Sequence, residues 1–307
     1  MKLAQMGLED GCTRHDVDMR LALLLHRGRG RGELLNNAMQ YALLGSGKRI
    51  RPLLTIAAAA SLGIPQAGAL DAGCALEMVH TASLILDDLP SMDDATLRRG
   101  KAVTHLAFGE DLAILASISL LTRAFDVLAS IAPADAHVRA EMVCILARAA
   151  GACGLSGGQI EDLRAVAEPS GMSDECDAEQ ASAVNQLKTG MLFVAAVELA
   201  ATLAAATEVQ REALRGFAGN LGLAFQLRDD LFDGLLPSAL TGKDFGKDKG
   251  KPTLVALLGR DAARQRLSQY VDDALQSLHP LGGGGGPLRR LMAATFTQVS
   301  YDTLSVG

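Results

Sequence analysis

The sequence predicts an all-α fold, a single-domain bundle of long antiparallel helices, and three observations carry that expectation. Apolar residues make up 49% of the chain but aromatic residues only 4%, with no Trp, so the core must be built from Ala, Leu, Ile, Val and Met. Those residues suit packed helices better than sheets, which favour aromatic and β-branched side chains. Apolar residues recur with helical spacing in most segments, and no alternating run bounded by hairpin turns is found.

The helical spacing is read over Leu21 to Leu25, Leu34 to Leu44, Leu53 to Leu62 and Leu70 to Leu86. It resumes over Leu106 to Ile131, Val138 to Ala152, Ala181 to Ala206, Glu212 to Phe232 and Leu254 to Leu278. Gly and Pro punctuate these segments, which makes them helices joined by short loops, about ten or more in number. No linker, composition break or repeat divides residues 1–307, and residues 1–15 are expected to be a loosely ordered leading segment. Two loops stand out: the lysine-rich stretch Gly234 to Lys251, a candidate lid, and the five glycines Gly282 to Gly286, expected to be a flexible surface connection.

Composition also excludes classes of function. A net charge of −6, from 29 basic and 35 acidic residues, argues against nucleic-acid binding by bulk electrostatics. Five scattered cysteines lack the spacing of zinc or redox motifs and read as reduced thiols of a cytoplasmic protein. Glu9, Asp10, Arg14 and Asp16 interrupt any secretory leader, and apolar runs such as Leu112 to Leu121 fall short of the roughly 20 residues of a membrane span. GSGK at Gly45 to Lys48 lacks the full phosphate-loop pattern and no strand precedes it, so nucleotide binding is not expected.

The chemistry is concentrated in two acidic clusters. In LILDDLPSMDDATLRRGK, Asp87, Asp88, Asp93 and Asp94 follow an apolar helix that ends or kinks near Pro90, and Arg98, Arg99 and Lys101 come next. Carboxylates at a helix C-terminus oppose the macrodipole and repel one another, so something positive must compensate. In FQLRDDLFDG, Asp229 and Asp233 share one helical face with Asp230 beside them. Carboxylates are hard ligands suited to magnesium, which takes one or two of them with waters and phosphate oxygens. Two such clusters, about 140 residues apart, are hard to read as solvated faces. Lys48, Arg49, Arg51, Arg98, Arg99, Lys188, Lys243, Lys247, Lys249 and Lys251 supply cations fitted to phosphate oxygens. His80, two helical turns before Asp87, shares its face, whereas His105 reads as structural. No Ser, His and Asp or Cys and His arrangement suggests a protein nucleophile.

These residues resemble the trans-isoprenyl diphosphate synthases, the polyprenyl synthetases, and most closely the bacterial geranylgeranyl diphosphate synthases of carotenoid pathways. The likeness runs in register through GKRIRP (Gly47 to Pro52), EMVHTASLILDDLPSMDD (Glu77 to Asp94), RRGK (Arg98 to Lys101), GGQIEDL (Gly157 to Leu163), KTG (Lys188 to Gly190), FQLRDDLFD (Phe225 to Asp233) and GKDFGKDKGKPT (Gly242 to Thr253).

The resemblance implies an isoprenoid synthase fold around a central prenyl-chain cavity, a homodimer, and three magnesium ions. Asp87, Asp88, Asp93 or Asp94, Asp229, Asp230 and Asp233 would hold the metal. Lys48, Arg51, His80 and Arg99 would bind isopentenyl diphosphate; Arg98, Lys188 and Lys243 would bind the allylic diphosphate; Thr189 and Gln226 would face the developing cation. The segment Gly234 to Gly242 does not align with one family pattern. A terpene cyclase would not need GKRIRP and RRGK, and a noncatalytic subunit would usually lose one aspartate cluster.

Product length follows from the helix before Asp87. Ala82 lies five residues earlier, roughly 7.5 Å down the helix axis. Family members that stop at fifteen carbons commonly carry an aromatic residue there. Ala82 and Ser83 leave room for a twenty-carbon chain, with Met78 as part of the floor, and Ala82→Phe is expected to shorten the product.

Overall fold

The computed structural model describes residues 13–25, 32–132, 134–167, 187, 190–233 and 254–296. The candidate-lid region through Lys251, together with Lys188, Thr189 and Lys243, lies outside the described residues, as do residues 1–12.

The chain is a bundle of helices around α4 (Gln66–Asp87), against which α1 (Arg14–Leu25), α2 (Glu33–Leu43) and α3 (Ile50–Ser61) pack. α6 (Glu110–Ala129) and α9 (Met191–Leu203) also pack on α4, and α6 touches α2. α9 in turn packs on α7 (Ala136–Ala150), α3 and α10 (Glu208–Asp233). α8 (Leu155–Ala167) follows α7; α12 (Arg260–Ser277) packs along α10; and α13 (Gly286–Phe296) closes against α3.

Small side chains allow these helices to approach closely. Ala69, Ala72, Gly73 and Ala75 on α4 and Ala57, Ala58 and Ala59 on α3 are all buried. A methyl group on Gly73 would stand 2.7 Å from the Pro52 Cα, so at this crossing two backbones meet with no side chain between them. Pro52 is tolerated because it lies in the first turn of α3, where its missing N–H is not needed. The low aromatic content has its structural counterpart here, since Ala and Gly layers leave little space for rings.

Several expectations are revised. The apolar stretch Leu106 to Ile131 is two helices, α5 (Thr104–Phe108) and α6, because Gly109 turns the chain at φ 95°. Leu254 to Leu278 is likewise split into α11 (Leu254–Leu258) and α12 by Gly259 at φ 78°. Only glycine adopts such angles without strain, so these glycines act as breaks rather than as tolerated helix interior. The five glycines do not form a loose connection: His279–Gly285 is a 3-10 segment, and a methyl on Gly284 would lie 2.7 Å from the Ser61 carbonyl. Among the described residues two helices, α4 with 22 residues and α6 with 20, reach the length and apolar composition of a membrane span, longer than the uninterrupted apolar runs. α6 simply continues past Leu121 through Arg123 and Asp126, while α4 is largely buried in the bundle.

A hairpin was also missed. Leu97–Arg98 (β1) pairs antiparallel with Lys101–Ala102 (β2), and Arg99 and Gly100 form the turn with φ values of 54° and 77°. Positive φ at both turn residues matches the right-handed twist of the two short strands. Two residues per strand are too few for an alternating pattern to register.

Candidate active site

The first aspartate cluster is shaped by the way α4 stops. After Asp87 the chain folds back over the helix end: the N–H of Asp93 donates to the Asp87 carbonyl at 2.9 Å, and those of Asp94 and Ala95 donate to the carbonyls of Leu89 and Asp88. Carbonyls at the helix end, which have no intrahelical donor, are thereby satisfied, and Asp93 is carried to the side of Asp87. Asp94 takes a left-handed conformation, φ 48°, which short polar residues accept more readily than most.

Asp88 differs from its neighbours. It is 3% exposed, and Arg98 from β1 grips it with Nε 2.8 Å from Oδ1 and 2.9 Å from Oδ2, and Nη2 2.6 Å from Oδ1. Burial works to lower the Arg98 pKa, but the bonds from Asp88 and the charges of Asp87 and Asp93 outweigh it, so the guanidinium is held above its ordinary value. Asp88 and Arg98 therefore form one rigid unit beside the Asp87 and Asp93 carboxylates.

The second cluster ends α10. Asp229 Oδ1 accepts from Arg228 Nη2 at 3.0 Å and lies 3.8 Å from Lys48 Nζ, while Gln226 Nε2 donates to Asp230 Oδ1 at 2.8 Å. Lys48 thus ties the loop before α3 to an aspartate 181 positions later in the chain. Its ammonium also stands over the Phe225 ring at 5.1 Å, and Arg51 stands over Phe193 at 5.0 Å. Beneath Asp229 a small second core of Leu227, Leu231, Leu254 and Ala263 fixes the end of α10. The side chain of Asp233 lies outside the described residues. Gly190, the last residue of KTG, is close enough to α10 that a methyl on Gly222 would meet its Cα at 3.1 Å.

Arg51, His80 and Arg99 form a third group, since Arg51 and Arg99 both act on His80 and Asp229 acts on Arg51. Burial pushes the Arg51 pKa down to about 10, against the opposing charge of Glu77, so the group is still a cation at neutral pH. The buried Nε of Arg51 has no hydrogen-bond partner among the described residues, which marks it as a donor awaiting an anion. Burial lowers the Arg99 pKa too, with Arg49 and Arg98 adding repulsion. His80 is driven well below its ordinary value, first by burial and then by Arg51, Arg99 and Arg98, so it is neutral at pH 7.

That depression has a stability consequence. His80 takes up a proton in the unfolded chain near its ordinary pKa of about 6.5 but not in the folded protein, so its contribution is complete above that value and is lost as pH falls below it. Thermal melts from pH 7 to pH 5 are expected to show a smaller drop in Tm for His80→Gln than for the natural protein. An identical drop in both would contradict the assignment.

Sequence reasoning missed three residues. Glu77, 2% exposed, lies 2.8 Å from Arg49; Arg228, 6% exposed, carries Asp229 and also donates to the Thr295 carbonyl at 2.8 Å; Asp18 of α1 accepts from Arg49 at 2.7 Å. Only Glu77 left a readable signal, an acid inside the apolar stretch Cys74 to Val79, since buried acids are rare unless paired. His105 is buried, and its Nδ1 has no hydrogen-bond partner among the described residues.

Three chain-length candidates lie on α4. Ala82 is 3% exposed, and its carbonyl accepts from Ser117 of α6 at 2.9 Å; Ser83 is half-buried and donates to the His80 carbonyl; Met78 is fully buried. A pocket among the described residues lies on another flank of α4, lined by Thr81, Leu84, Ile85 and Asp88 with Tyr41 and Arg99, and none of the three candidates lines it.

Among the described residues no three of the Asp, Glu, His and Cys side chains already converge as a closed metal cage. The donor set suits magnesium nonetheless, because it offers carboxylate oxygens alone and magnesium completes its shell with water and phosphate oxygens. Arg98 engages both oxygens of Asp88 and so competes with a metal ion for them.

A helical bundle in which two carboxylate clusters end apolar helices, with one of them paired to Lys48 and the other to Arg98, is the kind of site an isoprenoid synthase uses. The sequence profile of the polyprenyl synthetase family matches residues 32–279, and the chain belongs to that family. It is 42% identical over 287 residues to a geranylgeranyl diphosphate synthase of Pseudescherichia vulneris, covering 92% of this chain and 90% of that one. Its fold is similar to that of an FPP/GFPP synthase from Zymomonas mobilis, with a TM-score of 0.81, 35% identity and coverage of 91% and 94% of the two chains. It is also similar to a geranyltransferase from Helicobacter pylori complexed with magnesium and isoprenyl diphosphate, with a TM-score of 0.76, 26% identity and coverage of 95% and 96%.

Proposed function

We propose that this protein is a geranylgeranyl diphosphate synthase, which condenses isopentenyl diphosphate head-to-tail with dimethylallyl, geranyl or farnesyl diphosphate to an all-trans twenty-carbon product. The observation that carries the reading is the Lys48–Asp229 pair at 3.8 Å, which joins a cation belt to an acidic cluster at one mouth.

In this reading Lys48, Arg51, His80 and Arg99 hold the diphosphate of isopentenyl diphosphate, with neutral His80 donating a hydrogen bond and Arg51 Nε meeting the anion it lacks. Asp87, Asp93 and Asp94 together with Asp229, Asp230 and Asp233 would hold magnesium, three ions in all, with Asp88 acting mainly by fixing Arg98. Bound magnesium stabilises the negative charge of the departing diphosphate as a Lewis acid. Arg98, Lys188 and Lys243 orient the allylic diphosphate so that its carbon–oxygen bond breaks, and Gln226 and Thr189 face the allylic cation. The double bond of isopentenyl diphosphate forms the new carbon–carbon bond, and a proton leaves to the released diphosphate. Electrostatic preorganisation supplies most of the rate, which accords with a site rich in fixed charges and without a protein nucleophile. Chelation of divalent metal is expected to abolish product from labelled isopentenyl diphosphate and farnesyl diphosphate, and added magnesium to restore it. Full turnover after thorough chelation would sink the metal assignment.

The prenyl chain is proposed to descend beside α4 past Ala82 and Ser83, with Met78 near the floor. Ala82→Phe or, where packing against α6 does not admit the ring, Ser83→Phe is expected to move the main product from twenty to fifteen carbons. An unchanged product profile in both variants would remove these residues from the path. A farnesyl diphosphate synthase is the second reading, favoured only if the natural protein itself stops at fifteen carbons.

A homodimer accords with Ile114, Leu115 and Ile118 on α6, large apolar side chains between 41% and 51% exposed. A sedimentation mass near twice 32.1 kDa checks it. We place the enzyme in the cytoplasm.

A further inference from the structure

Arg49, the third residue of GKRIRP, is not part of the proposed diphosphate set, yet its side chain makes four hydrogen bonds beside it. Its backbone is left-handed at φ 53° and its side chain is wholly buried. Nε donates to Asp18 Oδ1 at 2.7 Å, Nη1 to Glu77 Oε1 at 2.8 Å, and Nη2 to the carbonyls of Leu43 and Gly45 at 2.8 and 3.0 Å. One guanidinium thereby joins α1, the end of α2, the loop before α3 and the middle of α4.

The network reaches the diphosphate site by two routes. A methyl on Gly47 would lie 2.8 Å from Arg99 Nη1 and 3.3 Å from Arg49 Nη1, so the two guanidiniums press against the same glycine. Displacement of Arg49 therefore displaces the surface on which Arg99 rests. Glu77, in turn, is a buried carboxylate whose charge acts on Arg51 and Arg99 as well as on Arg49. It offsets the repulsion of three clustered guanidiniums before any substrate arrives.

We infer that Asp18 and Glu77, acting through Arg49, are positioning residues for the isopentenyl diphosphate subsite, so that the amino-terminal helix α1 sets the affinity of a site it does not touch. The inference rests on the assignment of Arg51 and Arg99 to that substrate. Preorganised guanidiniums bind a diphosphate without first losing side-chain freedom, whereas released ones must be ordered by the ligand. The effect is confined to one substrate, because Arg98 is anchored separately by Asp88.

Asp18→Asn, Glu77→Gln and Asp18→Glu, with Arg51→Ala as the control, are to be assayed with the full chain at saturating magnesium, varying each substrate in turn. Asp18→Asn and Glu77→Gln are expected to raise KM for isopentenyl diphosphate about fivefold or more, leaving kcat and KM for farnesyl diphosphate within about twofold. Asp18→Glu, which keeps the charge, is expected to recover most of the affinity. Equal rises in both KM values, a fall in kcat alone, or no change would overturn the inference, provided Arg51→Ala does raise KM for isopentenyl diphosphate. If Arg51→Ala leaves that KM untouched, the subsite assignment itself fails. Asp18 is partly exposed, so Asp18→Asn decides the question even if Glu77→Gln does not fold.

Discussion

Asp87→Asn is expected to lower kcat by about a thousandfold while KM for isopentenyl diphosphate changes by less than about threefold. Asn has the shape of Asp, and the loop is held through the Asp87 backbone carbonyl, which accepts from Asp93 whatever the side chain. The fold at the end of α4 therefore survives, and what is lost is the charge proposed to act on the allylic diphosphate. Asp88→Asn is expected to behave differently, because its carboxylate holds Arg98 in a two-oxygen grip. Its main effect falls on the KM for the allylic substrate. Steady-state kinetics of both variants, with thermal melts to confirm folding, separate the two roles; equal kinetic losses at both positions would show that the cluster acts as one undivided unit.

Gly73→Val is expected to destabilise the fold by about 3 kcal/mol, measured by urea denaturation. The cause is the α3 and α4 crossing, where even a methyl on Gly73 would stand 2.7 Å from the Pro52 Cα and 3.1 Å from its carbonyl oxygen. Neither atom can swing away as a flexible side chain would, so the helices must separate. α3 carries Arg51 and α4 carries His80, so residual activity is also expected to fall through misplacement of the diphosphate set. Gly219 is the contrasting position: it lies within α10 with open space around it, and Gly219→Ala is expected to raise stability by about 0.5 to 1 kcal/mol. Destabilisation at Gly219 equal to that at Gly73 would refute the packing explanation.

The fold class was legible because its signals are local and repeated: helical spacing, and a core composition poor in rings. The acidic clusters were legible for a related reason, since each is contiguous in sequence and each ends an apolar helix. The breaks at Gly109 and Gly259 were not, because apolar spacing continues across them and only the backbone angle reveals the stop. The hairpin holding Arg98 and Arg99 was too short for a pattern, although RRGK contains the glycine such a turn needs.

Within the site, sequence counting supplied the cations and the resemblance implied their division between two diphosphates, but neither gave their pairing. Arg49 and Arg51 are two positions apart and chemically identical, yet one is fully paired in the core and the other keeps an unpaired buried Nε. That difference depends on Asp18 and Glu77, distant in sequence from the motif and from each other. Asp88 and Arg98 were likewise assigned to metal and substrate separately, and only the folded hairpin brings them together.

The most direct measurement is chromatography of the products formed by the purified protein from labelled isopentenyl diphosphate and farnesyl diphosphate in the presence of magnesium. A twenty-carbon all-trans diphosphate as the terminal product is the predicted result. Failure to extend farnesyl diphosphate, with accumulation at fifteen carbons from the shorter primers, would contradict it.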